Sequence, residues 1–117
     1  MPIAREREVW VLKPSHRGAT VPSSVDELDL EPLGSLEEVK TVMARVFPES
    51  TWVAPWVAVV DGDGWIAEVT VRLGEPIREI AFRISGRCDD LEPIKALCEG
   101  TGWRAIDVEQ WVFLDVL

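Results

Sequence analysis

The sequence has few of the residues from which catalytic and metal sites are most often built. It contains one histidine, two cysteines and no tyrosine among 117 residues. It also has no Gly-rich phosphate loop, no HExxH and no CxxC, which are short motifs with a known mechanism. Two cysteines are too few for a disulfide framework, so we expect free thiols in a reducing compartment. These absences favour a cytoplasmic protein that holds no metal and no other cofactor.

Long hydrophobic runs are missing as well. Pro55 interrupts the longest apolar stretch, residues 52–60. The first ten residues, MPIAREREVW, carry charges where a signal peptide has its apolar core. We therefore expect neither a secretion signal nor a membrane span. With 47% hydrophobic and 28% charged residues, the composition is typical of a globular protein, and residues 1–117 are interpreted as a single domain.

Negative charge dominates the sequence. Twenty-one acidic residues oppose twelve basic ones, which gives a formal net charge of -9. Such a chain repels nucleic acids and anionic membrane surfaces unless its basic residues gather on one face, and here they never form a run. A basic protein would be attracted by the same charge. The expected partner is therefore a basic protein, and neither a nucleic acid nor a membrane.

Two segments have the periodicity of amphipathic helices. Ser35 and Glu38 form the capping-box pattern S-x-x-E, and Pro48 limits the helix that follows. Its apolar residues recur at helical spacing: Leu36, Val39, Val42, Met43, Val46 and Phe47. A second helix begins after Asp89 or Asp90, either of which could cap it. Its buried stripe consists of Leu91, Ile94, Leu97 and Cys98.

Residues 55–85 alternate as a three-stranded meander. Tight turns at Gly62–Asp63 and Gly74–Glu75 would both place the same side chains on one face. That face comprises Trp56, Ala58, Val60, Trp65, Ala67, Val69, Val71, Ile80, Phe82 and Ile84. The opposite face comprises Val57, Val59, Ile66, Glu68, Thr70, Arg72, Ile77, Glu79, Ala81 and Arg83. The first face is predicted to be buried and the second to meet solvent.

The predicted elements together define a fold class. A first strand at residues 9–12 is followed by a long loop at about residues 14–33, and two β-rich runs at 103–108 and 111–114 close the chain. The order is β-α-β-β-β-α-β-β. Sequential hairpins with only two helices predict an α+β two-layer sandwich, a mainly antiparallel sheet with both helices on one face.

Candidate reactive or ligand-binding residues are few. Cys88 and His16 are the only plausible catalytic pair, and they require the long loop to fold over the second helix. Asp61-Gly-Asp63-Gly begins like a calcium loop, but Trp65 stands where a third acidic or amide ligand should be. A hairpin turn explains all four residues, so we favour the turn over a calcium loop and predict no metal site. Asp61 and Asp63 are retained as candidate binding residues.

The hydrophobic residues offer two further candidates for binding. Among six tryptophans, Trp52 lies between Pro48 and Pro55 and is either an exposed anchor or a lid over the core edge. The facing of Trp10 and Trp111 is left open, whereas Trp56, Trp65 and Trp103 are expected to be buried. The solvent face of the meander groups apolar side chains that could form a subunit contact: Val57, Val59, Ile66 and Ile77.

Residues 45–107, with FP…W, a Gly-punctuated meander and DDLEPIKALCEGTGWRAID, resemble small uncharacterised bacterial proteins, some of which are immunity or accessory partners of toxins. The resemblance implies a cytoplasmic, non-enzymatic interaction module whose acidic surface binds a basic toxin or effector. It transfers no functional residue. Two alternatives stay open: a small-molecule-binding or catalytic domain that uses the 14–33 loop, and a homodimer formed through the outer face of the sheet.

Overall fold

A computed structural model describes residues 6–15, 30–62, 64–71, 76–86 and 91–116 of the chain. Along these residues the elements are β1 (Glu6–Pro14), β2 (Leu30–Glu31), α1 (Leu36–Val46), β3 (Ser50–Ala54), β4 (Val57–Asp61), β5 (Trp65–Val71), β6 (Glu79–Gly86), α2 (Glu92–Cys98), β7 (Arg104–Asp107), β8 (Val112–Phe113) and a final 3-10 turn, Leu114–Val116. The strands form one sheet in the order β3-β4-β5-β6-β1-β7-β8, and β2 pairs with the end of β1. All pairings between these strands are antiparallel. The predicted α+β class, an antiparallel sheet with two helices, is confirmed.

The meander has the predicted faces but a different register. Val60 pairs with Ala67 rather than with Trp65, and Val69 pairs with Phe82 rather than with Ile80. In the first hairpin, the Gly62 N–H donates to the Trp65 carbonyl at 2.9 Å, so the turn is centred one residue later than predicted. The second predicted turn, at residues 74 and 75, lies outside the described residues. Each shift amounts to two residues, so the side chains within the paired strands β4, β5 and β6 keep their predicted faces.

Both helices cover one face of the sheet, which we call the covered face. Val39 and Met43 of α1 and Ile94 and Leu97 of α2 belong to one buried cluster. The strands contribute the alternate residues Val9, Val11, Ala58, Val60, Ala67, Val69, Val71, Ile80, Phe82 and Ile84. Burial of this apolar area is the main force that holds the two layers together.

The first helix follows its sequence signals. Ser35 Oγ accepts from the Glu38 N–H at 3.2 Å, and the Ser35 N–H donates to Glu38 Oε1 at 3.1 Å, which completes the predicted capping box. The helix ends at Val46, with Phe47 as the C-cap before Pro48.

The second helix does not begin where the sequence predicts. Its N-cap is Leu91, with a left-handed φ of 55° and no side-chain cap, so the prediction of Asp89 or Asp90 as the cap is wrong. Leu91 is almost completely buried, so a side chain of the core occupies the position that a polar cap usually takes.

Two predicted positions in the sheet are also wrong. Trp56 was expected in the core, but the chain turns at residues 55–56 before β4 begins, and 41% of Trp56 is exposed. Ile77 was expected on the solvent face, yet only 3% of it is exposed. Its backbone forms an antiparallel bridge with Gly34, in which Ile77 N–H donates to the Gly34 carbonyl at 2.8 Å. That bridge carries Ile77 into the core beside α1, so Ile77 is not available as a subunit contact.

The structure contains two strands that the predicted order lacks. β3 occupies the segment interpreted as a link between α1 and the meander, and it forms one edge of the sheet. β2 pairs Leu30 and Glu31 with the end of β1. The rest of the long loop, residues 16–29, lies outside the described residues. No helix in the part of the chain that the structure describes is long and apolar enough to cross a membrane.

Candidate functional site

The face of the sheet opposite the helices, which we call the open face, is organised in rows that run across the strands. Its uncharged row contains Ile106, Trp10, Ala81, Thr70 and Val57, each paired with the next across neighbouring strands. The charged row beside it contains Glu8, Arg83, Glu68 and Val59. A third row contains Glu6, Ser85, Ile66 and Asp61. Strand pairing thus brings side chains that are far apart in sequence onto one surface.

One end of the open face is an apolar depression with an acidic rim. Ile66 is 45% exposed, and Val59 beside it is half-buried. The depression has a volume of about 250 Å³ and is lined by Glu6, Val59, Ile66, Ala67, Glu68, Arg83 and Ser85. Of the predicted contact residues, Val59 and Ile66 line the depression, and Val57 lies on the same face two residues before Val59. Asp61 is exposed at the end of the row that contains Ile66.

The centre of the open face is charged. A second depression of about 210 Å³ adjoins the first and is lined by Glu8, Glu68, Thr70, Ala81, Phe82 and Arg83. Arg83 is the basic residue in both linings, and it is flanked across the strands by Glu8 and Glu68. With Glu6 and Asp61 in the next row, carboxylates outnumber the guanidinium among the described residues of these rows. The field over this surface is therefore negative and attracts positively charged groups.

The other end of the open face carries an aromatic pair. The rings of Trp10 and Trp111 are nearly perpendicular, at 87°, and their centroids lie 5.7 Å apart. Trp10 is half-buried, and its Nε1 donates to Glu8 Oε1 at 3.1 Å. Trp111 is 43% exposed. Sequence reasoning left the facing of both residues open, although the alternation of Trp10 with the buried Val9 and Val11 would have placed it on the open face.

A buried carboxylate holds the turn that carries Trp111. Asp107 is only 2% exposed, and it accepts from the Glu109 N–H at 3.0 Å and the Gln110 N–H at 3.3 Å. Arg7 Nη2 donates to the same carboxylate at 2.9 Å. The Trp111 N–H donates to the Asp107 carbonyl at 2.7 Å, and Trp111 has a left-handed φ of 56°. This backbone conformation is uncommon for a large side chain, and it persists because the hydrogen bonds around it determine the turn.

A third pocket lies on the other side of the molecule, beside α2. Its volume is about 410 Å³, and it is lined by Glu92, Lys95, Ala96, Cys98, Glu99, Trp103, Arg104, Ala105, Leu114 and Asp115. Burial, with a smaller contribution from Asp115, raises the pKa of the Cys98 thiol to about 12. The thiol is therefore protonated at neutral pH and is a poor nucleophile. The charged rim includes an ion pair in which Arg104 donates to both oxygens of Asp115, at 2.9 and 2.8 Å.

Of the remaining predicted site residues, the structure describes Trp52 alone. His16, Cys88 and Asp63 lie outside the described residues, so the cysteine–histidine hypothesis stays a prediction. Trp52 packs half-buried against the core, and Lys40 Nζ lies 4.8 Å from the centre of its ring. Its position is that of the lid over the core edge, one of the two alternatives. Among the described residues, no three histidine, cysteine or acidic side chains are grouped so that they could hold a metal ion.

Comparison with known proteins adds no assignment to this geometry. No protein-family model matches the sequence, and no curated protein matches it either. Any function is therefore inferred from the chain's own residues.

Proposed function

We propose that this protein is a non-enzymatic, cytoplasmic interaction module that binds a basic protein through the open face of its sheet. The observation that carries the proposal is the exposure of Ile66 in an apolar depression rimmed by Glu6 and Glu68. An apolar centre within a charged rim is the arrangement found at protein interfaces. A basic toxin or effector is the form of partner that the resemblance implies.

Electrostatics favours a basic polypeptide over the other possible occupants. The net charge of -9 opposes a nucleic acid, whose phosphates would meet Glu8 and Glu68 on this surface. A second copy of the chain would bring the same carboxylates face to face. A basic segment can place an aliphatic side chain over Val59 and Ile66 and its cations against the rim. Such complementarity speeds association and selects the partner.

The test uses a defined probe, a strand-length peptide of alternating arginine and leucine, and measures its affinity by calorimetry. We expect Glu68→Lys to weaken binding about tenfold, because it replaces an attraction with a repulsion at the centre of the face. Glu99→Lys is the matched control: it changes the net charge equally, but Glu99 is exposed at the end of α2. Equal weakening by both variants would mean that only net charge matters. That result, or no binding by the unmodified protein, would overturn the proposal.

The pocket beside α2 favours a second candidate function, the binding of a small molecule. Its volume of about 410 Å³ is within the range of ligand pockets, and Trp103, Ala105 and Leu114 supply apolar walls. Screening of fragments by NMR tests this candidate. We expect shifts of the lining residues that disappear in Ala96→Trp, a variant in which the new side chain fills the pocket. Shifts that persist in the variant would contradict the assignment.

A further inference from the structure

The two edge strands of the described sheet differ in how well they can accept a further strand. The strand order ends at β3 on one side and at β8 on the other. Proteins commonly protect such edges with very short strands or with charged side chains. β8 has two residues, whereas β3 has five and none of them is charged. Of these two edges, β3 is therefore the one to which a further strand can pair.

The hydrogen bonds of β4 show which backbone groups of β3 point outwards. The Val71 N–H donates to the Trp56 carbonyl at 2.8 Å. Because hydrogen-bonded pairs alternate in an antiparallel ladder, Ala58, two residues after Trp56, also bonds to β5. Trp52 is the residue of β3 that pairs with Ala58. Since Ala58 directs its N–H and carbonyl to β5, those of Trp52 point away from β4, to the outer edge of the sheet.

The side chains beside this edge favour an extended segment in which cationic and apolar residues alternate. Glu49 directly precedes β3, Asp61 ends the neighbouring β4 on the open face, and both are exposed. Their carboxylates attract a cation to that side of the edge. On the helix side, Lys40 Nζ lies 4.8 Å from the centre of the Trp52 ring, so an apolar residue fits there better than a second cation. Successive side chains of one strand point to opposite faces and so meet both requirements.

We propose that the basic partner adds a strand to β3, antiparallel to it, with its apolar residues on the helix side and its cationic residues on the open side. The inference rests on the proposed function, since it takes the partner to be basic, and it names how that partner is bound. An antiparallel partner exchanges both hydrogen bonds of Trp52 with one residue. This arrangement suits an edge whose regular register ends at the irregularity between Trp52 and Ala54. Addition of a strand to a sheet edge is a recurrent mode of peptide recognition.

A partner bound at this edge can also reach the apolar depression. Thr51 of β3 pairs with Val59, which lines the depression. A strand added to β3 lies two strand spacings, about 10 Å, from Val59. Residues of the partner that precede or follow its strand can therefore cover the depression, so the edge extends the contact that the open face makes.

The test measures the exchange of single backbone N–H groups with deuterium by NMR. In the free protein, the Trp52 N–H faces outwards and should exchange fast, whereas the Thr51 N–H, which points to β4, should be protected. We expect a saturating amount of the peptide of alternating arginine and leucine to slow exchange of the Trp52 N–H about tenfold, because the N–H then donates to the added strand. Exchange of the Thr51 N–H is the internal control and should change much less.

Two modified peptides form a matched pair with identical side chains and charge. One is N-methylated at each leucine and the other at each arginine, so each lacks one alternate set of N–H donors. In the proposed arrangement, a leucine lies opposite Trp52 on the helix side, and the N–H groups of the leucines point to β3. The methyl-leucine peptide should therefore fail to protect the Trp52 N–H, whereas the methyl-arginine peptide should protect it as the unmodified peptide does.

The outcomes separate this inference from the proposed function. Any other pattern of protection by the three peptides overturns strand addition. Slow exchange of the Trp52 N–H in the free protein also overturns it, and a dimer in sedimentation would then identify a second copy as the occupant. If Glu68→Lys weakens binding in either case, the open face still binds the partner and only strand addition is wrong. If the methylated peptides behave as expected but Glu68→Lys behaves like Glu99→Lys, the edge binds the partner and the open face does not.

Discussion

Successive residues of strand β6 lie on opposite faces of the sheet and differ in burial and in the groups that they contact. Ile80, Phe82 and Ile84 point to the helices and are almost completely buried. Ala81 and Arg83, between them, lie on the open face and line its depressions. The covered face provides stability, because its side chains are removed from water. On the opposite side, Leu12, Ile106 and Phe113 form a second, smaller buried cluster. The exposed positions of the open face contribute little to stability and can carry apolar and charged groups that bind. Substitutions on the covered face should therefore lower the free energy of unfolding more than substitutions at exposed positions of the open face.

The sharpest contrast compares neighbours in β5. Val69 is fully buried on the covered face, whereas Thr70 lies half-buried on the open face. We expect Val69→Asp to lower the free energy of unfolding by more than about 3 kcal/mol, because it buries an unpaired carboxylate. Thr70→Asp should cost less than about 1 kcal/mol. Denaturant midpoints measure both, and equal losses would show that the open face is also packed.

Two ion pairs extend the comparison to charged residues. Asp107 is buried beneath Arg7, whereas the side chain of Asp115 is 55% exposed beside Arg104. Asp107→Ala should cost about 2 to 3 kcal/mol, because it removes the partner of Arg7 and two acceptors of the turn. Asp115→Ala should cost less than about 1 kcal/mol. Asp107→Asn keeps an oxygen for the Glu109 and Gln110 N–H groups and should fall between them. Thermal unfolding gives this order, and a larger loss for Asp115→Ala would contradict it.

The free energy of unfolding at alkaline pH should depend on Cys98, which packs against the main core cluster. Its pKa is raised from 9.0 to about 12, so the folded state holds the thiol proton that the unfolded state loses. The resulting stability is fully present below pH 9 and is lost as the pH rises towards 12, by up to about 1.4 kcal/mol per pH unit. The absence of tyrosine removes the phenol groups that usually titrate there. Cys98→Ala, followed by chemical denaturation at several pH values, should show a smaller alkaline loss. The same dependence of the free energy of unfolding on pH in both proteins would contradict the prediction.

The smallest effect on stability is expected at Val59. Val59→Glu places a further carboxylate on the open face, where it should change the free energy of unfolding by less than about 0.5 kcal/mol. Sedimentation at low and high salt shows whether the face pairs with itself. We expect a monomer in both, since the carboxylates of two copies repel one another. A dimer that strengthens with salt and disappears in Val59→Glu would show that the open face binds a second copy of the chain rather than a basic partner.

The buried pattern of the meander could be predicted because it depends on parity. Both hairpins were predicted two residues out of register, and the faces remained right because side chains alternate with a period of two. Ile77 shows where this reasoning fails. It lies beyond the strand, and a bridge to Gly34, more than forty positions earlier, determines its side. The prediction that Trp56 is buried was wrong for a local reason, because the chain turns at residues 55–56 and the alternation begins only with β4.

By itself the sequence determined the class of fold, helix α1 and the two faces of the meander, because these follow from periodicity, capping and the preference of apolar side chains for burial. Only the tertiary structure decided which distant residues share a surface. Trp10 and Trp111 meet because β1 lies between β6 and β7, and because Asp107 and Arg7 hold the last turn against β1. Pairings between strands so far apart in the chain leave no periodic signal in the sequence, since they depend on the order in which the whole sheet is assembled.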